Sequence, residues 1–318
     1  RRCGRGAARA VSEWVSAVRW ELFKLAKLRL SGVLLVLLLA VVLLHAGLSY
    51  RAYRDVVQYV GQTVREAPAP LRQQRAMQQE LLARVLRANL VLPSALGGVS
   101  GVLYFPGLVF VSAAAAWLVG AEFSWGTLHR QLARGRSRGV VVASKLALVA
   151  VMAAVAVVAG LAVGGAAGVW TSQLLGSWRR EALAGAVWWD LGVVALRLWA
   201  TLVTYGTAAT AFAFVFRSAG LATAGVLIFY LLDVLVASLI VQSHGWLTAV
   251  RPYLLSSVTR ALVVEHNPFG TGFVSSLRAA VDTSRVLSVA GAWAVLGVWA
   301  AAFVVVSLAS FLRRDLPA

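Results

Sequence analysis

The hydrophobic residues of this chain fall into six runs, each long enough to cross a bilayer as a helix. A bilayer core takes about 20 apolar residues in helical form. The runs occupy residues 32–49, 102–121, 140–163, 196–216, 219–241 and 286–312. Backbone polar groups find no water inside lipid, so each run is predicted to be an α-helix. The pattern predicts one all-α polytopic membrane domain over residues 1–318, with longer connecting loops at 50–101 and 242–285.

The placement of arginine and lysine predicts the orientation of these spans. With the N-terminus inside, the inner segments hold 16 of the 30 basic residues. The remaining basic residues are spread over much longer segments, so the density of positive charge is higher on the inner side. Because cytoplasmic loops carry an excess of positive charge, we expect both termini to lie inside and the two long loops to be extracytoplasmic.

Composition agrees with a membrane protein. Hydrophobic residues make up 60% of the chain and charged residues 13%, while soluble domains contain about 25% charged residues. A net charge of +18 would suggest nucleic acid as the partner of a soluble protein. Here the arginines lie between the apolar runs, where anionic headgroups attract them. We therefore expect membrane lipid, and not nucleic acid, as the partner of this charge.

Residues 8–31 predict an amphipathic helix lying along the membrane surface before the first span. Its apolar side is expected to carry Trp14, Val18 and Leu22, and its polar side Arg19 and Lys24. This distribution is typical of interfacial helices, although an ordinary cytosolic extension is the alternative.

Two further features concern the loops and the ends of the spans. The first long loop is predicted to be helical from about Arg72 to Leu92, and the second to be irregular in part because of its prolines and glycines. Tryptophans are expected at the membrane boundaries, where the ring is apolar and its N–H reaches water. The predicted outer ones are Trp170, Trp178, Trp188, Trp189 and Trp246, and the inner ones Trp20 and Trp125.

The chain lacks the usual signatures of catalysis and metal binding. No phosphate-binding loop of the form G-x-x-x-x-G-K-[ST] occurs, and the four histidines lack the spacing of zinc ligands. The adjacent pair Glu265-His266 comes nearest to a metal site, and it lies in a loop rich in proline and glycine. We therefore expect no catalytic residue, metal site or cofactor in this chain, which is predicted not to be an enzyme.

Asp233 is the one acidic residue deep within a predicted span. A carboxylate at that depth is costly unless it is paired, protonated or in contact with water. One interpretation places Asp233 on a substrate path or at a subunit interface. The other is a structural hydrogen bond, to Tyr230 or to a serine or threonine of a neighbouring helix.

The segment from Glu122 to Lys145 is a short basic interruption between the second and third spans. Gly126 and Thr127 permit a turn, and Leu128 and Leu132 follow at helical spacing. Arginines in the same stretch can meet an acidic partner or lipid phosphate, and Lys145 can anchor the next helix at the headgroups. From the residues alone, docking of a partner and an ordinary positive inner loop are both open.

This segment resembles the first cytoplasmic loop of ABC-2 type transporter permeases. That family shows an acidic residue, Gly-Thr, a leucine, a Gly or Pro before Ser-Arg, and a Lys seven residues after the Arg. The matching positions are Glu122, Gly126, Thr127, Gly135, Ser137, Arg138 and Lys145. The stretch from Val18 to Arg29 is similar to the surface elbow helix of the family. The chain departs from the family pattern at Trp125, where polar residues are usual, and in its arginine-rich outer segments.

The resemblance implies the permease subunit of an ATP-driven ABC transporter in the cytoplasmic membrane of a prokaryote. Two permease copies, as a homodimer or a related heterodimer, would pair with two ATPase subunits that hold ATP, Mg²⁺ and all hydrolytic residues. Residues 122–139 would form a coupling segment between spans two and three. Each ATPase would dock on residues 122–138 of this segment. The residues expected to couple the two subunits are Glu122, Gly126, Thr127, Leu128, Leu132, Arg134, Arg138 and Lys145.

Within that expectation, Leu128 and Leu132 would fill a groove of the ATPase, while Glu122 and Arg138 would order the segment through charge pairing or helix-end interactions. The resemblance also implies export, and the composition of the spans suits a lipophilic or amphipathic cargo. A non-transporting scaffold that anchors a cytoplasmic partner through the same loop is the alternative function.

Overall fold

The computed structural model is helical throughout the residues that it describes, which are 14–25, 29–66, 69–133, 137–178, 184–241, 247–270 and 286–313. No strand occurs among them. The helices are α1 (residues 14–25), α2 (Arg29–Glu66), α3 (Ala69–Leu90), α4 (Ala95–Ser124), α5 (Thr127–Ala133), α6 (Arg138–Leu174), α7 (Ala186–Phe216), α8 (Ala219–Val241), α9 (Leu247–Val250), α10 (Leu255–Arg260) and α11 (Val289–Arg313).

Six of these helices are long and apolar enough to cross a membrane, which confirms the six predicted spans. The stretches that meet this criterion are Ser31–Tyr59, Ala95–Ser124, Arg138–Leu174, Ala186–Phe216, Ala219–Ile240 and Val289–Leu312. We name the two ends of the bundle after their contents. The α5 end carries α1, α5 and the last turn of α11, and the hairpin end carries the connection between α2 and α3.

Several helices extend well beyond the hydrophobic runs that mark them. α2 has 38 residues, or about 57 Å at 1.5 Å per residue, while a bilayer core is about 30 Å thick. Its second half packs against α3, which is the helix predicted from about Arg72 to Leu92. Arginine, glutamine and alanine favour a helix in water as well. Hydropathy therefore marks the part of a helix that lies in lipid, and not the residues at which it ends.

α4 lies at the centre of the bundle, where it contacts α2, α6, α7 and α8. In its most apolar stretch 67% of the residues are buried, against 11% for α2 and 17% for α8. The outward faces of α2 and α8 are thus apolar and exposed, a surface that suits lipid and would be unfavourable in water.

Glycines on one face of α6 allow α4 to approach closely. A Cβ on Gly160 would lie 2.3 Å from a methyl carbon of Leu103, and one on Gly164 would lie 2.3 Å from a methyl carbon of Val99. Gly168 is similarly close to Leu92, at 3.1 Å. Small residues four apart permit this type of packing in membranes. Close packing is thus present at these three glycines, whereas Gly165 has no neighbour nearer than 3.8 Å.

The described part of the second long loop, residues 247–270, forms short helical pieces that fold back into the bundle. It consists of α9, a 3-10 turn (Arg251–Tyr253), α10 and one π-helical turn (Ala261–Glu265). Leu255, Val258 and Leu262 are fully buried, among α4, α8 and α11. Its apolar residues therefore add to the core, which a reading of its prolines and glycines did not predict.

Exposed tryptophans lie near both ends of the bundle, at positions that suit a membrane boundary. Trp170, Trp188 and Trp189 are exposed towards the hairpin end, and Trp20 and Trp125 at the α5 end. Trp178 is half-buried, and Trp246 lies outside the described residues.

Candidate functional site: a buried charge cluster beside a short helix

Four charged side chains from three helices meet at the α5 end of the bundle. Lys145 of α6 places its Nζ 2.6 Å from Oε1 of Glu122 in α4 and 2.8 Å from Oε2 of Glu21 in α1. Lys24, also in α1, places its Nζ 2.6 Å from the same Glu122 oxygen and 3.4 Å from Oε1 of Glu21. The four groups form a closed ring in which acid and base alternate. We call Glu21, Lys24, Glu122 and Lys145 the charge cluster.

The charge cluster is almost fully withdrawn from solvent. The side chains of Glu21 and Lys145 are 1% exposed and that of Glu122 is 4% exposed, while Lys24 keeps 24% of its surface. An isolated charge at such a site would cost several kcal/mol in lost hydration. Here each charge lies between two of opposite sign and the ring is neutral overall. Each member therefore depends on the other three.

Lys145 is held mainly by charge and less by directed hydrogen bonds. Its contacts with Glu21 and Glu122 are short, but their angles do not suit hydrogen bonds, and Oε2 of Glu122 has no hydrogen-bond partner among the described residues. Both lysines share the other oxygen of Glu122. This carboxylate is thus the point at which α1, α4 and α6 are joined.

The charge cluster turns one face of α1 towards the bundle. Ala17 and Glu21 are buried on that face, while Trp14, Val15 and Leu22 are exposed. Apolar side chains of α1 are therefore exposed on the outside of the bundle. Lys24, which was predicted on the polar side of this helix, points its ammonium group at Glu122. Residues 8–13 and 26–28 of the predicted helix 8–31 lie outside the described part of the chain.

The helix α5 follows the charge cluster after a tight turn. Gly126 has φ +62°, a conformation that glycine adopts without strain and that costs other residues roughly 1 kcal/mol. The seven-residue α5 then packs against the end of α4. Arg130 and Trp125 are exposed on this part of the surface. The turn fixes the direction in which α5 leaves α4.

Leu128 does not have the position that the sequence predicts for it. Its side chain is fully buried in the core of this chain, so it is not available to the groove of a partner in this conformation. Leu132 is partly buried against the same core. Leucines at helical spacing on a short helix can pack against their own bundle as readily as against a partner. Here both leucines pack against the core of this chain and so fix α5 in place. The hydroxyl oxygen of Thr127 is buried without a hydrogen-bond partner among the described residues.

Arg138 holds the end of a different helix. Ser137 caps α6, its hydroxyl oxygen accepting a hydrogen bond from the N–H of Val140 at 3.3 Å. The guanidinium of Arg138 donates to the carbonyls of Phe311 and Leu312, each at 3.0 Å, and lies 5.8 Å from the centre of the Phe311 ring. The last carbonyls of a helix lack intrahelical partners and carry partial negative charge, so a cation stabilises them. Arg138 thus ties the start of α6 to the end of α11.

The predicted coupling residues therefore separate into three groups. Glu122 and Lys145 come together in the charge cluster, and Lys145 does not anchor α6 at the headgroups, because its ammonium group is buried. The turn at Gly126 and the α5 residues Thr127, Leu128 and Leu132 form the second group, and Arg138, which contacts the end of α11, is the third. Arg134 lies outside the described residues. Sequence reasoning missed Glu21 and Lys24 as members of the cluster. Their opposite charges three residues apart show that they share a helix face, but give no sign of the partners on α4 and α6.

Asp233 lies in a second polar region, in the interior of the bundle. Its side chain is 8% exposed, and Oδ2 accepts a hydrogen bond from the backbone N–H of Ser256 at 2.5 Å. Ser256 is in the first turn of α10, where N–H groups lack intrahelical partners and attract negative charge. Asp233 therefore caps α10 from a neighbouring helix, a structural partner different from the side chains that the sequence suggested.

Three tyrosines lie beside Asp233 and α10. The hydroxyls of Tyr104 and Thr259 are 2.7 Å apart, and the ring of Tyr230 contacts those of Tyr104 and Tyr205 at 6.4 and 5.8 Å between centres. The hydroxyl of Tyr205 is buried and makes no hydrogen bond of suitable geometry with a described residue. The interior thus contains a group of polar side chains from α4, α7, α8 and α10.

Comparison with models of known protein families gives no match for this chain, and comparison with curated proteins finds no relative.

Proposed function

We propose that this chain is the permease subunit of an ATP-driven ABC transporter, in which α5 receives force from a separate ATPase subunit. The proposal combines the resemblance of residues 122–145 to ABC-2 permeases with the placement of those residues. It puts the α5 end in the cytoplasm and the hairpin end outside. The chain itself supplies no hydrolytic chemistry in this proposal, since ATP and Mg²⁺ belong to the ATPase.

The observation that carries the proposal is the mechanical connection of α5. This short helix lies between two membrane-crossing helices, is fixed by the Gly126 turn and by Leu128, and adjoins the charge cluster. A displacement of α5 would act directly on α4 and α6, and through the cluster on α1. Arg138 extends the connection to the end of α11. Force applied at one short helix would thus reach four elements of the bundle.

The remaining parts of the proposal follow from the same family resemblance. Two copies of this chain, or one copy and a related one, would assemble with two ATPase subunits in the cytoplasmic membrane of a prokaryote. Export of a lipophilic or amphipathic substrate is the proposed direction and cargo. The exposed apolar faces of α2 and α8 leave room for contacts with lipid and with a second permease.

The test is purification of the full chain with its native partners, followed by identification of the bound subunits and an ATPase assay. Arg130→Glu reverses an exposed charge on α5, and Arg84→Glu reverses an exposed charge on α3 as the control. We expect an ATPase to co-purify, and Arg130→Glu, but not Arg84→Glu, to reduce its recovery at least fivefold, since close charge pairs across interfaces contribute about 1.5 kcal/mol or more.

Absence of a co-purifying ATPase would contradict the proposal, as would equal recovery with the two variants. An ATPase that binds but never responds to a membrane substrate would instead favour the scaffold function.

A further inference from the structure

A groove opens between α2 and α6 towards the hairpin end of the bundle. It has a volume of about 680 Å³, and its lining is almost entirely apolar. Small residues form its floor, namely Ala46 and Gly47 on α2 and Ala166 and Ala167 on α6. Leu43 and Trp170 are among the larger side chains at its sides. The volume lies within the range of about 300–1,000 Å³ that is usual for ligand sites.

The groove opens onto the surface that suits lipid. Leu43, Leu44 and Leu48 of α2 are more than half exposed around it, and Trp170 is 65% exposed at its side. Residues 31–50 of α2 span about 30 Å of helix, so Tyr50 comes at the boundary of the hydrocarbon core. An aromatic side chain at that depth is typical of the headgroup region. In a bilayer whose hydrocarbon core begins at Ser31, the groove would lie along the acyl chains and Tyr50 at the headgroups.

Two arginines of α2 follow the groove-lining residues at helical spacing. Arg54 comes four residues after Tyr50, and therefore on the same face of α2, while Arg51 lies one turn above Gly47. Both arginines are exposed, and Arg54 forms no ion pair with a residue that the structure describes. On the α6 side, the guanidinium of Arg87 donates to the hydroxyl oxygen of Ser177 at 2.7 Å, just beyond the end of the helix. Asp55 is the acidic neighbour in this part of α2.

We propose that this groove binds an anionic glycerophospholipid of the surrounding bilayer. One acyl chain fills the space between α2 and α6, and the phosphate lies against Arg54, with Arg51 and Arg87 nearby. The small residues leave space for the acyl chain. The arginines select the headgroup, since a basic residue near the membrane surface attracts anionic lipid. This site is independent of α5 and of any ATPase.

The proposal is tested with the full chain in nanodiscs of equal parts phosphatidylglycerol and phosphatidylcholine. After extraction and washing in mild detergent, native mass spectrometry counts the lipid that each variant retains. We expect the unaltered chain to retain phosphatidylglycerol in preference to phosphatidylcholine. Arg54→Gln should reduce that preference about fivefold, the ratio that one basic residue near the surface provides. Arg84→Gln, which removes an exposed arginine of α3, should leave it unchanged.

A second variant tests the groove itself. A side chain on Gly47 would start in open space, so Gly47→Phe can fill the groove without displacing a neighbour. Gly47→Phe should lower retention of both lipids at least fivefold. Ala166→Phe, on the α6 side of the groove, should have the same effect. Equal retention of the two lipids by the unaltered chain would overturn the proposal. So would undiminished retention in a monodisperse sample of either phenylalanine variant.

Discussion

Lys145→Met should destabilise the chain by about 3–5 kcal/mol, because it leaves two carboxylates in the charge cluster with only Lys24 to compensate them. At an effective dielectric constant of about 20, each contact of Lys145 at 2.6 or 2.8 Å contributes an attraction of about 6 kcal/mol. The cost of removing water from the lysine offsets most of this attraction. Without Lys145, the two buried carboxylates of Glu21 and Glu122 share the single cation Lys24, so one negative charge remains uncompensated. The net loss of stability arises chiefly from this charge.

The measurement is the free energy of unfolding of the purified chain in mixed micelles, obtained by titration with a denaturing detergent. Arg84→Met is the control, since Arg84 and Glu80 are also 2.6 Å apart but are 74% and 64% exposed. A surface pair of this kind contributes at most about 1 kcal/mol. The comparison thus sets a buried lysine with two carboxylate partners against an exposed arginine with one partner at the same short distance.

A double variant separates charge balance from loss of contacts. Glu122→Gln with Lys145→Met leaves the neutral pair Glu21 and Lys24, so its cost should fall below the sum of the two single costs by at least about 1.5 kcal/mol. The reasoning is refuted if the single costs simply add, or if Lys145→Met costs no more than Arg84→Met.

Two further predictions use the same titration. Gly164→Leu should cost about 1–3 kcal/mol because its Cβ would meet a methyl carbon of Val99 at 2.3 Å, while Gly165→Leu, with no neighbour nearer than 3.8 Å, should change stability far less; equal costs would contradict the packing argument. Asp233→Ala should cost about 1–3 kcal/mol by leaving the N–H of Ser256 without its acceptor. Asp233→Asn keeps an acceptor and should cost less, and identical losses for the two would rule out capping as the role of Asp233.

The hydrophobic pattern predicted the number and type of the spans because lipid imposes a strong and local requirement on sequence. About 20 apolar residues must follow one another, and no distant residue can replace them. This requirement does not apply to residues of a helix that extend beyond the lipid. The second half of α2 and the start of α7 are helical for reasons of local propensity and packing, so the runs did not locate those helix boundaries. The buried segment around α10 was missed because its burial depends on α4, α8 and α11.

Helix periodicity and the family resemblance predicted only the part of the candidate site that lies on one continuous stretch of chain. Glu122 and Lys145 belong to the segment that resembles the permease family. Their burial depends on Glu21 and Lys24 of α1, which precedes Glu122 in the chain by more than 90 residues. An amphipathic pattern assigns a charged residue to the solvent side, and this rule fails where another helix supplies the opposite charge. A signal was nevertheless present.

The chain has 12 acidic residues against 30 basic ones, and two of the acidic residues, Glu21 and Glu122, stand directly among apolar and aromatic neighbours. A carboxylate in such surroundings at the end of a predicted membrane helix is costly unless a cation comes to it. Two such carboxylates near the same predicted boundary indicate that the lysines close to that boundary, Lys24 and Lys145, turn inward. Charge balance across helices, considered together with depth in the membrane, would therefore have predicted the cluster where amphipathicity alone could not.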